Sequence, residues 1–159
     1  QIFEIRKMKK LLIGSLLFSF SICSIYSQNK TIKGRVIADD LETMPGVSIR
    51  INDSIEVSKT DLGGYFEVDI PVNQKELIFM TVGLDKATIE LVDKCDYVEV
   101  VMMLSSTYDF ITLKRAERKR KKRYEELSEI YKQAFKNGIF ETEYPCYNRE
   151  FEPFYLDEN

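Results

Sequence analysis

Residues 54–70 read "SIEVSKTDLGGYFEVDI", and the reading of this stretch decides the fold. On the far side of Gly64, Phe66, Val68 and Ile70 alternate with Tyr65, Glu67 and Asp69. A period of two marks a strand with one buried face, and "SIEVSKT" before the break repeats the pattern. Between the two runs stand an acid, two glycines and an aromatic pair, a combination that invites comparison with a binding loop. The ligand count argues against one. A calcium loop places oxygen ligands at alternate positions, whereas Asp61 is followed here by Leu62, Gly63 and Gly64. As a turn the chemistry is complete. The Asp61 carboxylate can accept the backbone N–H two residues on, Gly63 or Gly64 can take a positive φ, and Tyr65 and Phe66 open the next strand on opposite faces.

Working outward, five more segments alternate in the same way: "TIKGRVIA" (31–38), "VSIRIN" (47–52), "ELIFMTV" (76–82), "ATIELV" (87–92) and "YVEVVMML" (97–104). The last sets Val98, Val100, Met102 and Leu104 on a common face. Turn residues separate the segments, Pro45 and Gly46 before the second, Pro71 and Asn73 after the fourth. Seven short strands spaced roughly 8–12 residues apart, with no helical stretch among them, indicate an all-β sandwich.

Two absences narrow the chemistry. The 159 residues contain no histidine and no tryptophan. Ser-His-Asp and Cys-His nucleophiles, histidine bases and most catalytic zinc sites are thereby excluded, as is sugar binding on a tryptophan platform. Adjacent acids such as Asp39 and Asp40 show no spacing suited to a two-carboxylate hydrolase.

Near the start, "RKMKKLLIGSLLFSFSICSIYSQ" has a basic cluster, an apolar stretch from Leu11 to about Ile25 and the small residue Ser27. That is the layout of a secretory signal peptide, too short for a comfortable membrane span. Met8 reads as its first residue, and an uncleaved anchor is the alternative. Cys23 would suit lipid attachment poorly, with bulky Ile22 before it. Export permits disulfides, and cleavage after Ser27 leaves Cys95 and Cys146, either as a bridge tying tail to domain or as two thiols.

Over residues 31–104 these elements come together as a pattern: Gly34 and Val36, Pro45-Gly46-Val47, Thr60-Asp61 with Gly64 and Phe66, and Val82-Gly83. In that order they resemble the carboxypeptidase regulatory-like domain, a transthyretin-like sandwich, particularly the form that precedes the plug of TonB-dependent outer-membrane receptors. Leu84 stands where that family often has tyrosine. The resemblance implies a seven-stranded antiparallel, Ig-like or transthyretin-like sandwich without an active site of its own, its turn residues Pro45, Gly46, Asp61, Gly63, Gly64, Phe66 and Gly83 shaping backbone. It further implies a stand-alone exported member, without the catalytic domain or barrel that accompanies the family elsewhere.

Charge divides the rest. Residues 28–110 hold 8 Lys/Arg against 15 Asp/Glu, residues 111–137 hold 10 against 4, and residues 138–159 hold 1 against 6. Phe110, Ile111 and Leu113 suit either a further strand or the approach to a helix. From Leu113 the period turns helical, with Leu113, Ala116, Arg120, Tyr124, Leu127, Tyr131 and Ala134 three or four apart and Ile130 and Phe135 widening the stripe. Asn137-Gly138 ends it. The sequence thus predicts one long C-terminal α-helix over 111–137, after a sandwich over 28–110 and before an acidic aromatic tail over 138–159.

The cations Arg118, Lys119, Arg120, Lys121, Lys122 and Arg123 should form a collar of positive potential, facing water and nearby acids or meeting a partner. In the tail, Tyr144, Tyr147, Phe151, Phe154 and Tyr155 are candidate contact residues, packing back on the domain or docking on a partner. The expected function is a non-enzymatic accessory or protein-interaction module of the cell envelope, periplasmic or outer-membrane-associated or secreted, needing no cofactor. Its expected partner is another envelope protein, with anionic lipid headgroups or glycan as further options and no nucleic acid. A glycan- or calcium-binding module, using loop tyrosines and acids, is the alternative.

Overall fold

The computed structural model describes residues 29–106 and 109–153. The expected leader over 1–27 and the candidate contact residues Phe154 and Tyr155 lie outside the described residues. Seven strands precede one helix: β1 (Asn29–Ala38), β2 (Ser48–Ile51), β3 (Ile55–Lys59), β4 (Tyr65–Pro71), β5 (Glu76–Met80), β6 (Ala87–Glu90), β7 (Tyr97–Met102) and α1 (Leu113–Lys136). Each strand coincides with a stretch that alternation predicts, β1 starting two residues earlier and β4 running on through Pro71.

The strands form two sheets, ordered β4-β1-β7 and β3-β2-β5-β6. Alternation places one face of each inward. Along β4, Phe66, Val68 and Ile70 are buried while Tyr65, Glu67 and Asp69 are exposed. Phe66 of the first sheet meets Phe79 of the second edge to face, ring centroids 5.5 Å apart. One core runs between the layers, with Ile32, Val36, Ile49, Leu77, Ile89, Val98 and Val100 all at zero exposure. The result is a β-sandwich followed by a helix.

One pairing departs from the antiparallel expectation: β1 and β7 run parallel, Lys33 opposite Tyr97 through Ala38 opposite Met102. Parallel neighbours need a crossover connection. Here the intervening chain supplies it by passing through the other sheet. Gly34 belongs to this pairing, and a Cβ there would collide with the Val98 carbonyl and the Phe66 ring.

The turn at 60–64 takes the conformation its residues allow. Asp61 Oδ1 accepts the backbone N–H groups of Gly63 and Tyr65, each at 2.8 Å. Gly64, rather than Gly63, takes the positive φ, +77°. Its N–H donates to the Asp61 carbonyl, and its own carbonyl accepts from Val36 N–H at 2.8 Å. An added Cβ would lie 2.5 Å from the Val36 carbonyl oxygen. Buried Thr60 ties the turn to the next loop, its hydroxyl donating to the Met44 carbonyl and accepting from Val47 N–H. Gly46 and Gly83 also have positive φ, +70° and +85°.

Phe110 and Ile111 form the approach to α1, Leu113 is its first residue, and the three make no further strand. Thr112 caps the helix, its hydroxyl accepting from Arg115 N–H at 3.3 Å. At the other end Gly138, at φ +68°, turns the chain back. Among the described residues no helix is long and apolar enough to cross a membrane.

The segment after α1 closes one side of the sandwich. Asn148 bridges to Glu90 at the β6 edge of one sheet, and Arg149 donates at 2.7 Å to the Val101 carbonyl of β7, an edge of the other. A disulfide joins Cys95 to Cys146 with Cα atoms 5.8 Å apart, so the bridge is present. An exposed strand edge is a template for unwanted pairing, and both edges on this side are covered.

Candidate functional site

Helical geometry sorts the cations. At 100° per residue, Lys114, Arg115, Arg118, Lys119, Lys121 and Lys122 fan over an arc of about 160° and a length of about 12 Å. All six are exposed, and Arg120 lies on the opposite, buried side. Of the outward set, Lys122 approaches Glu126 at 3.8 Å. No other has a carboxylate within ion-pair distance among the described residues.

The remaining two cations of the run turn inward. Arg120, 8 % exposed, reaches Glu117 at 2.9 Å and Asp85 at 3.2 Å, and it lies 5.5 Å from the Phe151 ring centre. Arg123 pairs with Asp39 at 2.5 Å and donates to the Leu104 carbonyl and the Ser106 hydroxyl. The six-residue run is therefore a cationic outer face plus two arginines that hold the helix to the sandwich, where a continuous collar was expected.

The outward set is placed at the costlier end of its helix. The amino terminus carries partial positive charge and favours acids. The first turn of α1 has none. Like charges at i and i+4, such as Lys114 with Arg118 and Arg115 with Lys119, add a further small penalty. Helix stability therefore does not account for this distribution.

The aromatic tail is divided as well. Tyr147 is buried, its hydroxyl touching that of Tyr131, and both lie near the Glu99 carbonyl of β7, at 3.1 and 2.9 Å. Burial raises the pKa of Tyr131 and raises that of Tyr147 well above the ordinary tyrosine value. Phe151 packs on Tyr124 at a tilt of 59°, ring centroids 5.5 Å apart. Tyr144 is 63 % exposed and stands at the rim of a groove of about 580 Å³ between α1 and the tail, lined also by Tyr124, Leu127, Tyr131, Tyr147 and Arg149.

Glu99 was not singled out by sequence. It is 3 % exposed, and its carboxylate accepts from Glu141 N–H, Thr142 N–H and the Thr142 hydroxyl, at 2.6, 3.1 and 2.7 Å. The available signal was "VVMML" over 100–104, an apolar run that stops alternating where both faces of the strand are covered.

The turn residues Pro45, Gly46, Asp61, Gly63, Gly64, Phe66 and Gly83 are distributed along loops and a strand start, with Phe66 in the core. The carboxylates nearest an arginine, Asp39, Asp85 and Glu117, are engaged in the contacts described. Among the described residues no three His, Cys, Asp or Glu side chains gather as a metal site. Comparisons with protein-family models and with curated proteins find no match for this chain.

Proposed function

We propose that this protein is a non-catalytic interaction module of the cell envelope, exported to the periplasm or the outer membrane. The sandwich serves as scaffold, and the outer face of the first half of α1 is the contact surface. The observation that carries this reading is the cationic arc, which is exposed, has a single ion pair among the described residues and is unfavourably placed for its own helix. Surfaces that give up local stability in this way are characteristic of binding sites. The resemblance to carboxypeptidase regulatory-like domains supports a scaffold role, since those domains work beside partners that do the chemistry.

Position-specific crosslinking tests the proposal. A photoreactive side chain at Lys119, on the arc, is compared with one at exposed Thr31, on the sandwich, in envelope fractions of the native cell. Adducts are expected from position 119 and are expected to fade as salt rises, because exposed charge pairs are screened. Equal yield from both positions, or adducts indifferent to salt, would contradict it.

A further inference from the structure

Resting on the interaction reading, we infer that the partner of the cationic arc is an anionic phospholipid surface, with Phe110 entering the headgroup layer beside the cations.

Phe110 is fully exposed and holds a left-handed backbone, φ +62°, which residues with a Cβ adopt uncommonly. Leu113, also exposed, lies within about 20° of Arg120 around the helix and so faces away from the arc. Single exposed apolar residues are ordinary. Phe110 stands four residues before Lys114, at the end of the helix where cations accumulate. An apolar side chain beside Lys and Arg at one helix end is the composition of an interfacial membrane contact.

The shape of the charge agrees. The cations fan over the convex face of a single helix and converge on no hollow. A broad sheet of negative charge meets such an arc better than a localised carboxylate cluster does, and each nearby Lys or Arg strengthens attachment severalfold. Four of the six are lysines, compact charges without the planar fork that arginine offers to a defined carboxylate. The sandwich adds orientation. Residues 28–110 carry 15 acids against 8 bases, so an anionic surface repels the sandwich and attracts the helix, presenting the arc and Phe110 first.

Sedimentation of the full chain with lipid vesicles tests the inference, using phosphatidylcholine alone and phosphatidylcholine mixed about 3:1 with phosphatidylglycerol. All variants share residues 1–28, so differences among them report on the helix. Wild-type protein is expected to bind the anionic vesicles more tightly. The double variant Arg118→Glu, Lys119→Glu should weaken that binding about tenfold or more, and Phe110→Ser severalfold without changing its salt dependence. All three positions are exposed, and circular dichroism checks that folding is kept. Poly-L-glutamate, a lipid-free polyanion, separates the two levels of the proposal. Vesicle binding that neither variant alters, or binding of poly-L-glutamate without binding of anionic vesicles, overturns the lipid assignment. The second of those results leaves an acidic protein or a second copy's sandwich as partner, and the interaction reading stands. Failure to bind either polyanion overturns both.

Discussion

Arg118 and Arg120 stand two residues apart in one run of cations, and the fold uses them in opposite ways. Arg118 faces water with no carboxylate of the described residues within ion-pair distance, while Arg120 is enclosed between Glu117, Asp85 and the Phe151 ring. Arg123 repeats the inward arrangement on the next turn with Asp39. The difference teaches that a charge run is not one feature. A turn of 100° per residue distributes consecutive cations between a structural seam and an open surface, and only the open part is available to a partner.

Breaking the inward side should produce the largest effect. Arg120→Ala removes the guanidinium that buried Glu117 and Asp85 share, and a loss of about 3–5 kcal/mol is expected in denaturant unfolding. Replacing Arg120 and Glu117 together by Met and Leu should recover most of that loss, since paired apolar side chains need no compensation. Cys146→Ser removes the bridge that ties the tail across the β6 and β7 edges and should cost about 2–4 kcal/mol. Arg123→Ala, at a pair partly open to water, should cost about 1–2 kcal/mol, read as a shift in the same unfolding curve.

The buried tyrosines give the seam a pH dependence of known sign. Burial holds the folded-state pKa values of Tyr131 and Tyr147 above the ordinary value, so the folded protein keeps protons that the unfolded chain releases near pH 10. Their contribution is complete below about pH 10 and is lost as pH rises beyond it, with a slope of up to about 1.4 kcal/mol per pH unit per tyrosine. Tyr147→Phe should flatten the alkaline limb of stability measured against pH. The smallest effect belongs to the outward side. Arg118→Ala or Lys119→Ala should change stability by no more than about 0.5 kcal/mol, toward gain where relief of the helix dipole shows at all.

Sequence showed the framework because period two and period 3.6 are local properties. Alternation in "YFEVDI" and the stripe from Ala116 to Ala134 placed the strands and the helix, and Arg120 already sat on that stripe. Neighbour relations were less legible. Alternation tells which side chains share a face but not which strand lies alongside, so the parallel β1–β7 pairing was not apparent. Leu113 belongs to the stripe by periodicity yet remains exposed, because the helix begins before it has the sandwich beneath it. Glu99, Tyr147 and the Cys95–Cys146 bridge depend on where the tail returns, and a segment without periodicity carries no local sign of its path. Asp61 was legible as a turn residue because Asx capping acts within a few residues, whereas the Thr60 hydroxyl bonds Met44 and Val47, 16 and 13 residues away, and left no local sign.

The division of the run can be tested by residue-resolved labelling of the native protein with an arginine-selective dicarbonyl, followed by mass spectrometry. Arg115 and Arg118 should react at the rate of the denatured chain, Arg123 more slowly, and Arg120 only once the protein unfolds. Uniform reactivity across Arg118, Arg120 and Arg123 would contradict the seam, and with it the assignment of the remaining cations to a separate, open surface.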